Sequence, residues 1–511
     1  MSDRSDGAMV TLAPEDGDDV VLIESLDLEA RGIARREGKV IFVRNALPTE
    51  RVRLKYVRRR PKFEVAEVAE WLEQASARER PRCPNFGVCG GCSMQHLGTR
   101  AQVAIKQRVL EDTLWHIGRL RSEQILRPIS GQDWGYRYRA RLSVRYVARK
   151  GSVLVGFHER GSSFVADMTE CSILPPRVSA LLPKLRGLVG GLSIRDRLPQ
   201  IELAVGTQVP QSLRASHSPH TVGPAAPESA ADSAVIALVL RILEAPSVAD
   251  ELALQAFAQT EELEIWLQPK GPETIWLFAS GVTPRGEPSP PVDPANRPAM
   301  QSVLGYALPE FGITMPFRPT DFTQVNHGIN RVLVQRAIHL LAPRVGDHVL
   351  DLFCGLGNFT LPLATQAESV LGIEGSTALV ARATENAQVN GLGHRARFAT
   401  ENLFNWTIER WNVLNAQRPF DLMLLDPPRE GAEAVAKILA APDVVVPRRM
   451  VYVSCNPATL ARDCAILVHS GRWTLAAAGA VNMFPHTSHV ESIAVLQAVP
   501  QQPSLAGQDG D

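Results

Sequence analysis

The sequence lacks the features of membrane and secreted proteins. None of its apolar stretches approaches the length needed to cross a bilayer. The first 19 residues are acidic and contain no basic segment followed by an apolar one, so we expect no secretory signal. Its seven cysteines are an odd number and lie in clusters, which argues against a disulfide framework. We therefore predict a protein of the reducing cytoplasm whose cysteines serve metal binding or chemistry.

The sequence also has no net charge, since 54 basic side chains balance 54 acidic ones. The two signs are nevertheless separated along the 511 residues. Residues 31–150 hold 27 basic and 11 acidic side chains, a net charge of +16 that is balanced by −16 elsewhere. This separation predicts an N-terminal part that binds a polyanion, joined to a neutral or acidic body.

The N-terminal part is predicted to be an OB-like β-barrel of five strands over residues 20–74, after a disordered acidic leader over residues 1–19. Short alternating runs separated by Gly32, Gly38 and Pro48 indicate its strands. The pattern favours nucleic-acid binding, with a charged, solvated edge strand as the alternative. The basic residues on one strand and the turn after it are Arg51, Arg53, Lys55, Arg58, Arg59, Arg60 and Lys62.

The remainder of the chain is predicted to form two more domains. Residues 75–322 indicate a central α+β domain, with flexible Pro/Ser-rich insertions near residues 206–234 and 282–297. Over residues 323–498 strands alternate with helices, which is typical of a doubly wound, Rossmann-like α/β sheet. A flexible tail follows over residues 499–511.

A glycine-rich turn suggests a cofactor site in the α/β domain. Gly355 and Gly357 follow a predicted strand and allow a close approach of the backbone to a ligand. Thr360 stands where the dinucleotide fingerprint has its third glycine, which counts against NAD. Glu374, at the end of the next strand, suits the two ribose hydroxyls of a nucleoside, with a surface carboxylate as the alternative.

Three more residues lie at the ends of later strands. Asp426 begins a rigid Asp-Pro-Pro loop where an open sheet binds ligands, although such a loop is also a plain turn signal. Cys455 is placed for covalent chemistry, and we expect a neighbouring helix N-terminus to lower the pKa of its thiol. Glu491 suits a general base, with a solvated acid as the alternative. Cys354 and Cys464 fit the role of core cysteines better.

Together these segments resemble the RNA uracil-5 methyltransferases that use S-adenosylmethionine. Five of them stand in that family's order, and they are Phe322–Asn326, Asp351–Thr360, Asp426–Arg429, Ser454–Asp463 and His486–Glu491. The likeness covers nearly the whole chain, and its N-terminal barrel is similar to the TRAM domain of that family. The resemblance implies Cys455 as nucleophile and Glu491 as base. It also implies a set of S-adenosylmethionine contacts: Gln324, Phe353, Asn358, Glu374, Asn402 and Asp426.

A cluster of cysteines precedes the central domain's strands. Cys83, Cys89 and Cys92 have a Cys-x5-Cys-x2-Cys spacing, and Cys171 follows far downstream. Four thiolates suit either an iron–sulfur cluster or a structural zinc ion. The resemblance implies a 4Fe–4S cluster on these four residues, with a role in folding or RNA positioning.

The resulting hypothesis is a monomeric 23S rRNA uracil-5 methyltransferase that acts on a uridine extruded from an RNA loop. In its chemistry the Cys455 thiolate adds to carbon 6 of uracil, carbon 5 takes the methyl group, and Glu491 removes the proton from carbon 5. Three alternatives stay open at this point: uracil-5 methylation of another RNA such as tRNA, cytosine-5 methylation, and a non-catalytic rRNA-binding assembly factor.

Overall fold

The computed structural model describes residues 19–27, 29–209, 234–282 and 304–500. The predicted leader, most of both insertions and nearly all of the tail lie outside the described residues. The chain divides into two compact units. The smaller comprises Met1–Arg82, Cys92–Ile105 and His486–Ser488, and the larger comprises Cys83–Gly91, Lys106–Pro485 and His489–Asp511. None of the helices in the described residues is long and apolar enough to span a membrane.

The smaller unit contains a β-sheet of six strands, one more than predicted. Apolar residues alternate along its strands and bury Ile41, Val43 and Val52 in its core. The strands pair in the order β1-β5-β6-β4-β3-β2, and only β4 and β6 are parallel among these pairs. Their bounds are β1 Val20–Leu22, β2 Ser25–Leu26, β3 Gly32–Arg36, β4 Lys39–Arg44, β5 Arg51–Arg59 and β6 Phe63–Glu73.

The basic strand β5 lies between β1 and β6 in the order of this sheet, so the alternative of an edge strand is wrong for Arg51–Arg53, the residues that pair with β1. Its register with β6 places Arg51 opposite Glu73 and Arg53 opposite Glu70. Both pairs are ion pairs, with N–O distances of 3.4 and 3.1 Å. Two of the five cations on the strand are therefore paired across the sheet, and most of the others lie near the β5–β6 turn.

Residues after the cysteine segment complete the smaller unit. The backbone amides of Ser93 and Met94 both donate to the carbonyl of His486 at 2.9 Å. The buried Gln102 accepts from the His486 amide at 2.8 Å, and the Ser93 hydroxyl accepts from the Ser488 amide at 2.9 Å. These bonds hold His486 in the left-handed region, at φ 65°.

The larger unit contains a mixed sheet of eight strands that belongs to the predicted central domain. The strand β10 pairs with β8, β11 and β14. Because β10 continues to Gln208, the first residues of the predicted insertion 206–234 form strand instead. The elements are β8 Arg139–Val147, β9 Ser152–Gly156, α2 Pro176–Gly191, β10 Gln200–Gln208, β11 Ala234–Arg241, α3 Val248–Glu261, β12 Glu264–Gln268, β13 Trp276–Ser280, β14 Leu304–Leu308 and β15 Ile313–Pro316.

The second sheet of the larger unit has the order β18-β17-β16-β19-β20-β22-β21-β7. Its first five strands are parallel, which confirms the predicted α/β domain, whereas β22 is antiparallel to its neighbours β20 and β21. The strands are β7 Gln124–Ile125, β16 His348–Leu352, β17 Ser369–Glu374, β18 Ala396–Thr400, β19 Leu422–Leu425, β20 Arg449–Ser454, β21 Trp473–Val481 and β22 Glu491–Ala498. The helices around them are α4 His327–Leu341, α5 Thr360–Ala364, α6 Thr377–Val389, α7 Ile408–Asn415, α8 Glu433–Ala440 and α9 Pro457–His469, and α1 spans Thr99–Gly118.

The burial pattern explains why these strands form the centre of the domain. All four residues of β19 are apolar and buried, and the parallel neighbours β16 and β20 are buried except for their first residues. Strands covered on both faces require such continuous apolar runs. The polar residues of the segment Asp351–Thr360 and those after β19 and β20 therefore gather at the carboxyl ends, the usual ligand-binding edge of an open α/β sheet.

Candidate active site

Cys455 and Glu491 are brought together by the pairing of β20 with β22. The last pair of this antiparallel ladder is Ser454 with Ser492. Cys455 directly follows Ser454, and Glu491 directly precedes Ser492, so both residues lie at the same end of the pair of strands. The Ser492 hydroxyl also donates to the Ser454 carbonyl at 3.1 Å, which fixes this end of the ladder.

Asp426 lies at the same edge, at the end of β19. Its backbone amide donates to the carbonyl of Leu352 at 3.3 Å, which ties the loop to the neighbouring strand β16. Burial raises the pKa of Asp426 to about 7. Burial, and then the charge of Asp426, raise the pKa of Glu491 to about 8. Both carboxyl groups can therefore carry a proton near neutral pH.

Arg429 supplies positive charge to this acidic site. Its guanidinium lowers the pKa values of both Cys455 and Glu491, against the stronger effect of burial. Its backbone carbonyl accepts hydrogen bonds from the Asn456 side chain at 3.0 Å and the Thr459 hydroxyl at 3.2 Å. The Asp-Pro-Pro-Arg loop is thus fastened to the first turn of α9, beside the cysteine.

The expectation of a lowered thiol pKa at Cys455 is wrong for this state of the protein. Burial, and then the charges of Glu491 and Asp426, raise the pKa of Cys455 to about 11. The helix N-terminus has its own cap, because the Asn456 side chain accepts from the Ala458 amide at 3.1 Å. Burial, the largest cause, therefore outweighs any effect of the helix N-terminus, and the side chain of Cys455 is a thiol at neutral pH.

The glycine-rich turn has the backbone that its sequence requires. Gly355 and Gly357 adopt φ values of 56° and 94°, and Phe353 also has a positive φ of 62°. Glu374 closes the turn, since its carboxylate accepts from the amides of Gly355 at 3.2 Å and Ser376 at 3.0 Å. The carboxylate predicted to bind ribose is thereby held against the turn predicted to carry the nucleoside.

Thr360 has a structural role that explains the missing third glycine. Its hydroxyl donates to Oδ2 of the fully buried Asp351 at 2.5 Å. The other oxygen, Oδ1, has no hydrogen-bond partner among the described residues. Burial raises the pKa of Asp351 to about 8, with smaller contributions from Asp426 and Glu374. A glycine at this position would leave the buried carboxyl without the hydroxyl donor, although the backbone amide of the residue would remain.

The side chain of Asn358 is occupied by two residues that the sequence analysis missed. It forms a reciprocal amide pair with Asn330 of α4, at 2.9 and 3.0 Å, and accepts from the hydroxyl of Tyr306 at 2.9 Å. Tyr306 is buried in the other sheet of this unit. An amide pair joining positions 28 residues apart leaves no local sequence signal.

The other predicted cofactor residues lie in loops of the same unit. The exposed Asn402 caps the short turn Leu403–Asn405, where its side chain accepts from the Phe404 amide at 3.1 Å. The rings of Phe404 and Phe353 lie 5.7 Å apart. Gln324 is half-buried just before α4.

Three of the four clustered cysteines lie in the larger unit. Cys89 and Cys171 are buried, and burial followed by the charge of Cys83 raises the pKa of each thiol, that of Cys171 to about 11. Backbone amides point at the sulfur atoms, as the Gly91 amide does at 3.4 Å from Sγ of Cys89. Within the described residues, no three His, Cys, Asp or Glu side chains are close enough to hold a metal ion. Cys92 belongs to the smaller unit.

Comparison with known proteins identifies the family of the chain. Residues 312–499 match the family model described as tRNA (Uracil-5-)-methyltransferase. A protein of Cupriavidus metallidurans named 23S rRNA (uracil(1939)-C(5))-methyltransferase RlmD is 55% identical over 490 residues, which cover 94% of this chain and 95% of that protein. The chain belongs to the RNA uracil-5 methyltransferase family. A Burkholderia pseudomallei protein of the same name is also 55% identical, over 94% of this methyltransferase and 95% of its own length.

A solved structure supports the fold over the same length. The tRNA (uracil-54, C5)-methyltransferase of Pyrococcus abyssi, in complex with S-adenosyl-L-homocysteine, has a TM-score of 0.61 to this methyltransferase. The likeness covers 93% of this chain and 100% of that one at 20% identity, so it concerns the fold. With its family established, the protein is an S-adenosylmethionine-dependent methyltransferase.

Proposed function

We propose that this methyltransferase methylates carbon 5 of one uridine in 23S rRNA, the uridine that its relatives' names place at position 1939. The observation that carries the proposal is the placement of Cys455 and Glu491 at one end of the β20–β22 ladder. A nucleophile and a base at adjacent ladder positions suit a reaction that needs one at carbon 6 and the other at carbon 5. The 55% identity over nearly the full length favours the rRNA substrate.

The proposed chemistry assigns one task to each residue. The Cys455 thiolate adds to carbon 6, so that electron density moves to carbon 5, which then attacks a methyl group. S-adenosylmethionine, when bound, supplies that methyl group as an electrophile. Glu491 then removes the proton from carbon 5, and the electrons of that bond expel Cys455 to restore the ring. Arg429 favours both ionised groups by its charge.

We infer that the cofactor lies along the carboxyl ends of β16, β17 and β19. The glycine-rich turn and Glu374 support this place, because the Glu374 carboxylate accepts from the Gly355 amide and the turn has the positive φ values that let a ligand approach the backbone. The buried, partnerless Oδ1 of Asp351 is a further polar atom at the base of the turn. The residues proposed to contact S-adenosylmethionine are Gln324, Phe353, Asn358, Glu374, Asn402 and Asp426.

We infer that the N-terminal sheet is an RNA-binding TRAM domain over residues 20–74. Its support is the β5–β6 turn, where Arg58, Arg60 and Lys62 form no ion pair with any described residue, although three strand cations nearby do. The Arg59 guanidinium stacks on Tyr56, 4.0 Å from the ring centre. Cations beside an aromatic ring suit phosphates and bases of RNA.

The cysteine segment is proposed to hold a 4Fe–4S cluster on Cys83, Cys89, Cys92 and Cys171. The donor type suits the group, because thiolates are the ligands of such clusters and backbone amides point at the sulfur atoms of Cys89 and Cys171, a feature that tunes such clusters. Bound there, the cluster would cross-link segments far apart in the chain and supply folding energy. Methyl transfer needs no electron, so none of the steps above passes through it. The monomeric state and the cytoplasmic location stay predictions.

Release of tritium from carbon 5 of uridine tests the proposed function directly. Large-subunit rRNA labelled at that position is incubated with anaerobically purified enzyme and S-adenosylmethionine. We expect cofactor-dependent release, its loss in Cys455→Ala, and its retention in Cys464→Ala, which removes a buried thiol nine residues away. Labelled tRNA serves as the second substrate. Release from tRNA alone would reassign the substrate, and methylation without release would remove Cys455 and Glu491 from their roles.

A further inference from the structure

Helix α1 buries a stripe of four residues spaced four apart, of which the first two are polar: Gln102, Lys106, Leu110 and Leu114. Leu110 and Leu114 are buried in the apolar core of the α/β domain. Lys106 occupies the same stripe and is only 1% exposed. An ammonium group buried without a carboxylate is costly, so packing alone would favour another leucine at this position.

The partners of Lys106 lie on one short segment after β21. Its Nζ donates to Oδ1 of Asn482 at 2.8 Å and to the carbonyl of Phe484 at 2.8 Å. Among the described residues, no acidic side chain forms an ion pair with Lys106, and burial lowers the pKa of its ammonium to about 7. The hydrogen bonds of Lys106 therefore fix the conformation of this segment.

Other contacts link the same segment to the reacting groups. The ring of Phe484 lies 5.6 Å from that of His489, and Nδ1 of His489 lies 3.5 Å from the Arg429 guanidinium. Arg429 in turn acts on Glu491 and Cys455 through its charge. Glu491 itself is two residues beyond His489. A displacement of Phe484 should therefore displace Glu491, both through the backbone that joins them and through the side chains of His489 and Arg429.

We propose that Lys106 is a positioning residue for Glu491, acting through Asn482 and Phe484 on the segment that leads into β22. This inference rests on the proposed function, in which Glu491 removes the proton from carbon 5. Cys455 is held separately, by the capped start of α9 and its bonds to the Asp-Pro-Pro-Arg loop. Loss of Lys106 should thus impair proton removal more than formation of the covalent adduct.

The test compares Lys106→Met with the unmodified enzyme in a single turnover on tritium-labelled rRNA. Methionine keeps the length of the side chain and removes its donors. We expect tritium release to slow by ten- to a hundredfold, on the order of the loss caused by a small misplacement of a catalytic group. The Cys455–RNA adduct should accumulate on denaturing gels, while RNA affinity stays within about twofold. Lys184→Met is the matched control, since Lys184 is half exposed and pairs with Glu261 far from the site.

A second variant separates positioning from folding. Lys106→Gln retains a shorter amide donor, and we expect its release rate to fall between those of the methionine variant and the unmodified enzyme. Rates are normalised to the folded fraction, measured by thermal unfolding. If adduct formation, tritium release and RNA binding fall by one common factor in both variants, Lys106 is merely structural and the proposal is overturned. Normal release by Lys106→Met overturns it as well, whereas no release from the unmodified enzyme overturns the proposed function itself.

Discussion

The reactivity of Cys455 offers a direct test of the site's electrostatics. Burial and two carboxyl neighbours raise the pKa of its thiol from the usual 9.0 to about 11. A rise of two pKa units leaves about a hundredfold less thiolate than an ordinary cysteine has in neutral buffer. Since only the thiolate reacts with iodoacetamide, we expect alkylation of Cys455 in the free enzyme to be slower by about that factor.

The effect of Glu491→Gln on this reaction should depend on pH, and the sign follows from the pKa of Glu491. That pKa is about 8, so the carboxyl is mostly protonated and neutral at lower pH. At about pH 6.5 the glutamine variant should therefore react like the unmodified enzyme. Above pH 8 the native carboxylate is ionised and opposes the thiolate, so the variant should react faster, on the order of tenfold. Arg429→Met should slow the reaction at every pH because it removes a favourable charge.

Timed alkylation followed by mass spectrometry of the Cys455 peptide measures these rates from about pH 6.5 to 9.5. Glu433→Gln provides the control, because Glu433 lies on α8 and forms a surface ion pair with Lys437. Alkylation of Cys455 as fast as that of a model thiol near pH 7 would refute the raised pKa. An equal effect of Glu491→Gln at both ends of the pH range would refute the assigned protonation of Glu491.

Three further predictions concern other parts of the molecule. Replacing Arg58–Arg60 by glutamine should weaken RNA binding and reduce the slope of log affinity against log salt by roughly 0.7–0.9 per lost phosphate contact. Filter binding over a series of salt concentrations measures this slope, and an unchanged slope would contradict the phosphate contacts. Arg78→Met should destabilise the N-terminal sheet by about 3–5 kcal/mol in urea unfolding, because the fully buried Glu50 loses its ion-pair partner. Burial raises the pKa of Glu50, but the hydrogen bonds from Arg78 outweigh it, so the pKa is lower in the folded protein. The pair therefore stabilises the fold above the pKa that Glu50 has in the unfolded chain, and this stabilisation is lost as pH falls through the lower pKa of the folded protein. Equal acid sensitivity of the variant and the unmodified protein would contradict this assignment. Tyr306→Phe should weaken S-adenosylmethionine binding by about 0.5–1.5 kcal/mol in calorimetry, since Asn358 loses a donor, and unchanged affinity would separate that pair from the cofactor.

The placement of the candidate residues at one edge of the sheet was predictable from the sequence because parallel strands follow local rules. The apolar runs before the glycine-rich turn, Asp426 and Cys455 predict parallel strands, and such strands place their carboxyl ends at one edge. The antiparallel pairing of β22 with β20, which sets Glu491 beside Cys455, follows from no local pattern. Only the order of the motifs suggested that these two residues act together.

Residues whose partners are distant in sequence escaped prediction for a physical reason. Lys106 lies 376 residues from Asn482, and on a helix a lone lysine is more often a solvated residue. The break in the apolar stripe of α1 was the available signal. The basic run of β5 shows the reverse error, because counting charges could not reveal that Glu70 and Glu73 stand opposite its arginines. The register of β5 with β6 decides how much positive charge on the strand is left without an acidic partner.

The protonation of three buried carboxyl groups bears on the proposed RNA substrate, which is a polyanion. Asp351, Asp426 and Glu491 would repel a nucleotide if all three were ionised. Burial raises their pKa values to about 8, 7 and 8, so that Asp351 and Glu491 are mostly protonated at pH 7 whereas Asp426 is about half ionised. The cations proposed to bind phosphate belong to the β5–β6 turn, where Arg58, Arg60 and Lys62 form no ion pair with any described residue. A uracil ring carries no charge, whereas its phosphates do. In the proposed reaction, carboxyl groups that are mostly protonated therefore suit the uncharged base of an extruded uridine better than its phosphates.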